Sequence, residues 1–453
     1  MNPNNFSQRY FIIFLSVFWS VNLFAQVSGN LNKNYKKTKK HNLSKRYSNP
    51  ILPGDFQNTD VIRVGTKYYY ISATKELSPG MMIMSSQNLV NWKIIGHAVA
   101  DITQINPRYN YDIMEGQSRG IWAGAIRYYN KKFYVYFTDP DEGLFVTTAE
   151  HPAGPWAPLK ILKKGPGWDD PCPLWDDNGK AYLAMTNFAD NYKIYLFRLS
   201  QDGKVLTDSG KIIHQSEGSE ANKLYKINGY YYHFYSEVTK EGRIPFMARA
   251  KNIYGPYQER RQLIHKAKAE PNQGGMINTP DGKWYFVTHH GQSYWSGREA
   301  SLLPVTWIDG WPVWGNAGRD GIGNMVWSGI TPDGKTDRLQ TSDEFNQKVI
   351  APQWEWYFQP DDKKWSLKER PGFLRMYSSK PLFKTGPDKI PNVLTQRPLR
   401  KKHNTVVLKL DIHNMANGQI AGLTLFGKTY AFIGISQNHN KRVFILTILA
   451  KLM

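Results

Sequence analysis

Between residues 60 and 290 one pattern of hydrophobic and polar positions recurs. An apolar segment runs into a turn of Gly, Asn or Asp type, and a strand rich in aromatic residues follows. The instances read VIRVGTKYYYIS, AIRYYNKKFYVYFT, PLWDDNGKAYLAMT, KLYKINGYYYHFYS and MINTPDGKWYFVTH, with turns centred near Gly65, Asn130, Gly179, Gly229 and Gly282. The successive spacings are 65, 49, 50 and 53 residues. Runs of this kind predict β-hairpins. Hairpins repeating about every 50 residues predict a β-propeller, because one unit cannot bury both faces alone and stacks on its neighbours. A β-sandwich has about seven to nine strands and no such period. The expectation is an all-β chain, with a five-bladed β-propeller over residues 49–330.

From Ser342 onward the period stops. Short aromatic strands continue, as in DEFNQKVIAPQWEWYF, and predict a second, partial β-sandwich over 342–453. Its last stretch, KRVFILTILAKLM, lacks the Gly/Asn punctuation of the preceding part, which reads as a truncated or frame-shifted terminus that would leave sheet edges open.

Residues 1–25 contain Arg9, then the apolar stretch YFIIFLSVFWSVNLFA ending at Ala25, the pattern of a signal peptide. The apolar stretch is shorter than the roughly 20 residues of a spanning helix, so cleavage is expected rather than a stable membrane span. The chain is therefore expected in the periplasm or outside the cell. Composition modifies this picture in two ways. The formal net charge is +21, and seven of the positive charges lie in a basic linker over 26–48, where NKNYKKTKKHNLSKR reads as a solvated tether. No nucleic-acid motif accompanies it, so a nucleic-acid partner is not expected. Cys172 is the single cysteine, which excludes an intrachain disulfide and leaves stability to packing.

In a propeller the innermost strands line a central channel. Asp60, Trp122, Asp170 and Glu220 each precede the first strand of a hairpin, so equivalent blades bring them together at one end of that channel. Asp170 and Glu220 each lie nine residues before their turn glycine. Carboxylates around a funnel suit glycoside hydrolysis. One protonates the leaving oxygen, a second activates water, and a neighbouring anion keeps the first protonated. Each taken singly also fits a turn or rim residue, and Glu217, Asp169, Asp176 and Asp177 are read that way.

The order of segments resembles glycoside hydrolase family 43, which includes β-xylosidases and α-L-arabinofuranosidases. NPILPGDF…VIRVGTKYYYIS resembles its opening blade, SPGMMIM…NLVNWKIIGHAV the next segment, and GIWAGAIRYYNKKFYVYF its Trp-bearing strand, with Gly124 where Pro is usual. DDPCPLWDDNGKAYL resembles the segment that carries the pKa-tuning Asp, which implies that role for Asp170. SEANKLYKINGYYY resembles the one that carries the general acid, which implies Glu220. SGREASLLPVTWIDGWPVWG resembles the last blade, whose arginine contacts sugar, which implies Arg298. The resemblance implies inversion of configuration, no organic cofactor, and xylan, arabinoxylan or arabinan oligosaccharides as partners.

The family's base is the Asp of a DP pair, and register puts Asn58 there. An amide oxygen is barely basic. Asp60, two residues on and on the same strand face, is expected to act as base, with Asp55 as the second candidate. Trp122 is expected to floor the sugar pocket, and Tyr294 and Trp295 to form its rim. Of His289 and His290 only one can face the channel, where the resemblance leaves room for a water or a structural calcium ion. The alternative reading is a sugar-binding propeller without turnover.

Overall fold

The computed structural model describes residues 46–449 except 267–270, 294–296, 384–386, 400–402 and 427–429. The expected signal peptide, most of the basic linker, and Tyr294 and Trp295 lie outside the described residues. Five four-stranded antiparallel sheets follow one another along the chain. Blade 1 comprises Asp60–Val64, Lys67–Ser72, Gly80–Ser86 and Trp92–Val99. Blade 2 comprises Gly124–Tyr129, Lys132–Asp139, Gly143–Ala149 and Lys160–Lys164. Blade 3 comprises Trp168–Trp175, Ala181–Asn187, Lys193–Leu199 and Lys211–His214. Blade 4 comprises Glu220–Ile227, Tyr230–Thr239, Gly242–Ala250 and Glu259–Gln262. Blade 5 comprises Gln273–Asn278, Trp284–Ser293, Gly297–Ile308 and Trp311–Trp314.

All five aromatic hairpins of the sequence pattern are the first two strands of a blade. The reason is local. The turns place Gly65, Gly179, Gly229 and Gly282 in the left-handed region, and Asn130 takes the same role at φ 45°. Behind each turn the second strand is buried on both faces, as in Tyr68–Ser72, so its side chains pack into the gaps on either side.

Those gaps hold the core. Five clusters of buried side chains lie between neighbouring blades, and one of them joins blade 5 to blade 1, through Val61, Tyr70, Ile277 and Val287. The ring is therefore closed. Each blade is built from one continuous stretch of chain, so no strand is shared across the seam. The seam is held instead by a two-stranded ribbon, Arg46–Ser48 against Ser328–Ile330. The last residues of the segment expected as linker thus belong to the fold.

The C-terminal part lies against the propeller. Glu355–Tyr357 pairs with Leu77–Ser78 in the loop after the second strand of blade 1, and with Leu394–Thr395 on its other side. Buried Glu355 is ion-paired to Arg397, and its Oε1 meets His97 Nε2 at 3.1 Å. Farther along, Ile420–Leu425, Tyr430–Asn438 and Lys441–Leu449 form a three-stranded sheet. On one of its faces Leu425, Ile433, Phe444, Leu446 and Ile448 are exposed.

Candidate active site

The channel mouth is the end at which the inner strands of blades 3 and 4 begin. In blade 4, Glu220 pairs with Ser236 but Lys223 pairs with Phe234, so one extra residue bulges. Blade 3 has the same bulge, with Asp169 opposite Thr186 and Cys172 opposite Ala184. Bulges re-aim side chains and end pairing next to functional sites. Asp169 therefore holds the position in blade 3 that Glu220 holds in blade 4, and Asp170 matches Ala221. Asp170 and Ala221 share left-handed backbone, at φ 52° and 63°. The equal count of nine residues to the turn glycine was misleading, because the turn of blade 3 is one residue longer after its bulge.

Asp170 nevertheless reaches the acid candidate through the backbone. Its Oδ2 accepts the Ala221 N–H at 2.6 Å, its Oδ1 accepts Gln273 Nε2, and its own carbonyl accepts Asn222 Nδ2 at 2.6 Å. Asp169 Oδ1 accepts Thr138 Oγ1 and the Asp170 N–H, both at 2.9 Å. Burial, then the Asp170 charge, holds the Asp169 carboxyl well above the usual range. Burial also raises Asp170, but the Lys223 ammonium, the Ala221 N–H and the Arg243 and Arg298 guanidiniums oppose it. Of the pair, Asp169 is thus held the further toward its protonated form. Glu220 is raised by burial first; Asp170 adds to the shift, and Arg243, 3.3 Å away, and Arg298 oppose it.

Asn58 lies across the mouth, also left-handed at φ 51°. Its Oδ1 accepts Arg298 Nη1 at 2.9 Å, and its N–H donates to His289 Nδ1 at 2.8 Å. The other His289 nitrogen meets Asn272 Oδ1 at 3.1 Å, and burial holds the imidazole neutral. His289, not His290, is the histidine on the channel side. Among the described residues no group of three or more His, Cys, Asp or Glu is arranged to hold a metal ion.

Asp60 is placed otherwise than expected. It is buried, and its Oδ2 accepts Arg127 Nη1 and the Ile126 N–H at 3.1 Å, in a layer below the mouth that includes Tyr225 and Cys172. The same-face rule along a strand brought it inward but could not foresee an arginine from the next blade. Asp55 shares a partner with Asn58, since both bond Arg298. Its two oxygens accept the Arg298 N–H and Gln57 Nε2, each at 3.0 Å, and it is half-buried. A Cβ on Gly297 would lie 2.2 Å from the Asp55 carboxyl carbon, so only glycine admits this approach.

Trp122 is half-buried at the rim. Its ring lies 6.1 Å from Phe188 and its Nε1 donates to Ser118 O at 3.0 Å. The N–H of Ser118 in turn donates to Glu76 at 3.0 Å, and burial pushes that carboxyl up to about 7. Sequence reasoning passed over Glu76, Lys223 and Gln273. Lys223 is fully buried, and among the described residues its Nζ has no hydrogen-bond partner. Its only signal was a basic residue inside an otherwise inward-facing strand.

Residues 47–312 match the family model for glycosyl hydrolases family 43, and residues 342–450 match the β-xylosidase C-terminal concanavalin A-like domain. The chain belongs to glycosyl hydrolase family 43. This family 43 glycosidase is 34% identical to a β-xylosidase of Formosa agariphila, over 87% of this chain and 76% of that one. It is 30% identical to a non-reducing end α-L-arabinofuranosidase of Bacteroides ovatus, over 73% of this chain and 65% of that one. Among solved structures it resembles a bifunctional GH43-CE protein of Bacteroides eggerthii, with TM-score 0.75 and 27% identity over 89% of this chain and 52% of that one. It also resembles a GH43 enzyme engineered to show both endo-xylanase and exo-arabinofuranosidase activity, with TM-score 0.76 and 25% identity over 90% and 80%. The propeller and the following sandwich region are thus those of the family.

Proposed function

We propose that this family 43 glycosidase is an exported enzyme that releases terminal xylose or arabinose from plant cell-wall polysaccharide with inversion. The observation that carries the reading is the Asp170 clamp: a buried carboxylate bonded to the backbone N–H that follows Glu220. Burial first, and then negative charge on Asp170, disfavour ionisation of Glu220, which favours keeping its proton for the leaving oxygen. Trp122 and Phe188 offer aromatic faces to the C–H side of a sugar ring, and Arg298 offers donors to its hydroxyls. Asp60 is tied to Arg127, and Glu76 is enclosed and protonated up to about pH 7. Asp55 is the remaining carboxylate on the Asn58 side, and we assign it the activation of water. Export is supported by the apolar stretch within residues 1–25.

The test is hydrolysis of aryl β-xyloside, aryl α-arabinofuranoside and unsubstituted xylo-oligosaccharides. Glu220→Gln is expected to lose on the order of 10²–10⁴-fold on the oligosaccharides, and less on aryl glycosides whose leaving group needs little protonation. Equal losses on both substrates sink the assignment of Glu220 as acid. Asn58 favours a second reading, sugar binding without turnover, which predicts binding of the same oligosaccharides and release from none.

A further inference from the structure

The inner strands run from the catalytic mouth to their hairpins, and the hairpin end of the channel opens into a cavity of about 410 Å³. That volume is within the roughly 300–1,000 Å³ of small-molecule sites. Four blades contribute the residues at which their inner hairpins turn, including Tyr129, Trp175, Ile227 and Asn278. The Arg127–Asp60 ion pair and Tyr225 form the layer between this cavity and the mouth.

The walls are aromatic and held in place. Tyr129 stacks on Trp175 at 4.7 Å and 13°, Tyr128 packs on Phe133 at 4.8 Å, and Trp284 meets Trp307 edge-on at 5.5 Å. All four wall residues keep part of their surface open to solvent. Trp175 Nε1 donates to Gln201 O at 3.0 Å, but the other polar tips are not spent on the fold: the Tyr128 and Tyr129 hydroxyls, Trp284 Nε1 and the nearby Asn278 Nδ2 make no hydrogen bond to another described residue. The cations, in contrast, are occupied, Arg127 by Asp60 and Lys226 by Asp176 and Asp177.

A hydrophobic ligand seated here would strip water from those tips without replacing it, which is costly. An anion would have to displace an existing carboxylate partner. A neutral saccharide satisfies both demands, because it presents C–H faces to rings and hydroxyls to rim donors and acceptors. We propose that this cavity is a second saccharide site, for a neutral pentose oligosaccharide, at the end of the channel opposite the catalytic mouth. The saccharide class rests on the hydrolase reading; the cavity does not. Such a site holds polymer without competing for the reacting end.

The experiment is calorimetric titration of xylohexaose into the full chain carrying Glu220→Gln, which binds without turnover. Two sites per chain are expected, falling to one in Trp284→Ala, with affinity at the lost site reduced about tenfold or more. Tyr128→Ser, at a residue 43% exposed, serves the same purpose should the Trp284 variant fold poorly. In the parent protein, neither substitution is expected to change hydrolysis of an aryl xyloside. A single site before and after substitution, or two sites after both, overturns the proposal while hydrolysis stands. Binding abolished by Trp284→Ala in a protein that hydrolyses nothing upholds the cavity and overturns the hydrolase reading.

Discussion

A carboxylate works as a general base only where its charge is free to take a proton from water, and the mouth offers few such groups. Asp60 shares its charge with Arg127, and burial and the neighbouring Asp170 hold Asp169 toward its protonated form. That leaves Asp55, one arginine away from the amide of Asn58. Asp55→Asn is therefore expected to lower kcat/KM by about 10²-fold or more, and adding Asn58→Asp is expected to restore much of the loss. Initial rates on xylobiose check this, and an unrescued double variant rejects the exchange of roles. Glu76 gives a test of a different kind. Its folded pKa of about 7 exceeds the 4.5 of the free group, so the folded state binds more protons between those values. Stability is then fully present below about pH 4.5 and falls as pH rises towards 7, by on the order of 3 kcal/mol. Glu76→Gln removes that loss, so its melting temperature relative to the parent should rise between pH 5 and pH 8.

The hairpin was the element most legible in the sequence, because its determinants are local: a residue tolerant of left-handed backbone, then an aromatic-rich run buried on both faces. Register at the start of the inner strands was not legible. Two bulges and a longer turn in blade 3 shift the equivalence from Asp170 to Asp169, and neither leaves a mark in residue counting. Asp170 and Glu220 were still found together, since the clamp joins adjacent blades whichever of the two aspartates is counted. Lys223 and Glu76 stayed hidden because their character comes from burial by other blades. The Arg127 partner of Asp60 stayed hidden for the same reason. At this scale the strand Glu355–Tyr357 also matters, since it docks onto the loop that carries Glu76. Arg397 pairs with Glu355 and donates to the carbonyls of Asp55 and Ala73. Arg397→Ala strands a buried carboxylate, so a stability loss of about 3–5 kcal/mol is expected in chemical denaturation. Activity should fall with it, because Asp55 loses its support.

Across the whole molecule the net charge of +21 opposes self-association, whereas the C-terminal sheet promotes it. Phe444 is 63% exposed and Leu446 64%, and they share a face with Ile433 and Ile448. Contiguous apolar surface of this kind is an association liability. A Phe444→Lys, Leu446→Lys double variant should scatter less light at high concentration and keep the parent's rate on aryl xyloside. Unchanged scattering places the association elsewhere.

The ribbon of Arg46–Ser48 and Ser328–Ile330 works as a buckle on a belt. Asn49, next to it, is bonded to Leu302 through both its donor and its acceptor and also donates to the Val326 carbonyl. Since each blade is complete in itself, loosening the buckle frees both ends of the ring in one event, with every sheet still intact. Fraying at Tyr47 and at Gly329 should accordingly proceed at one common rate.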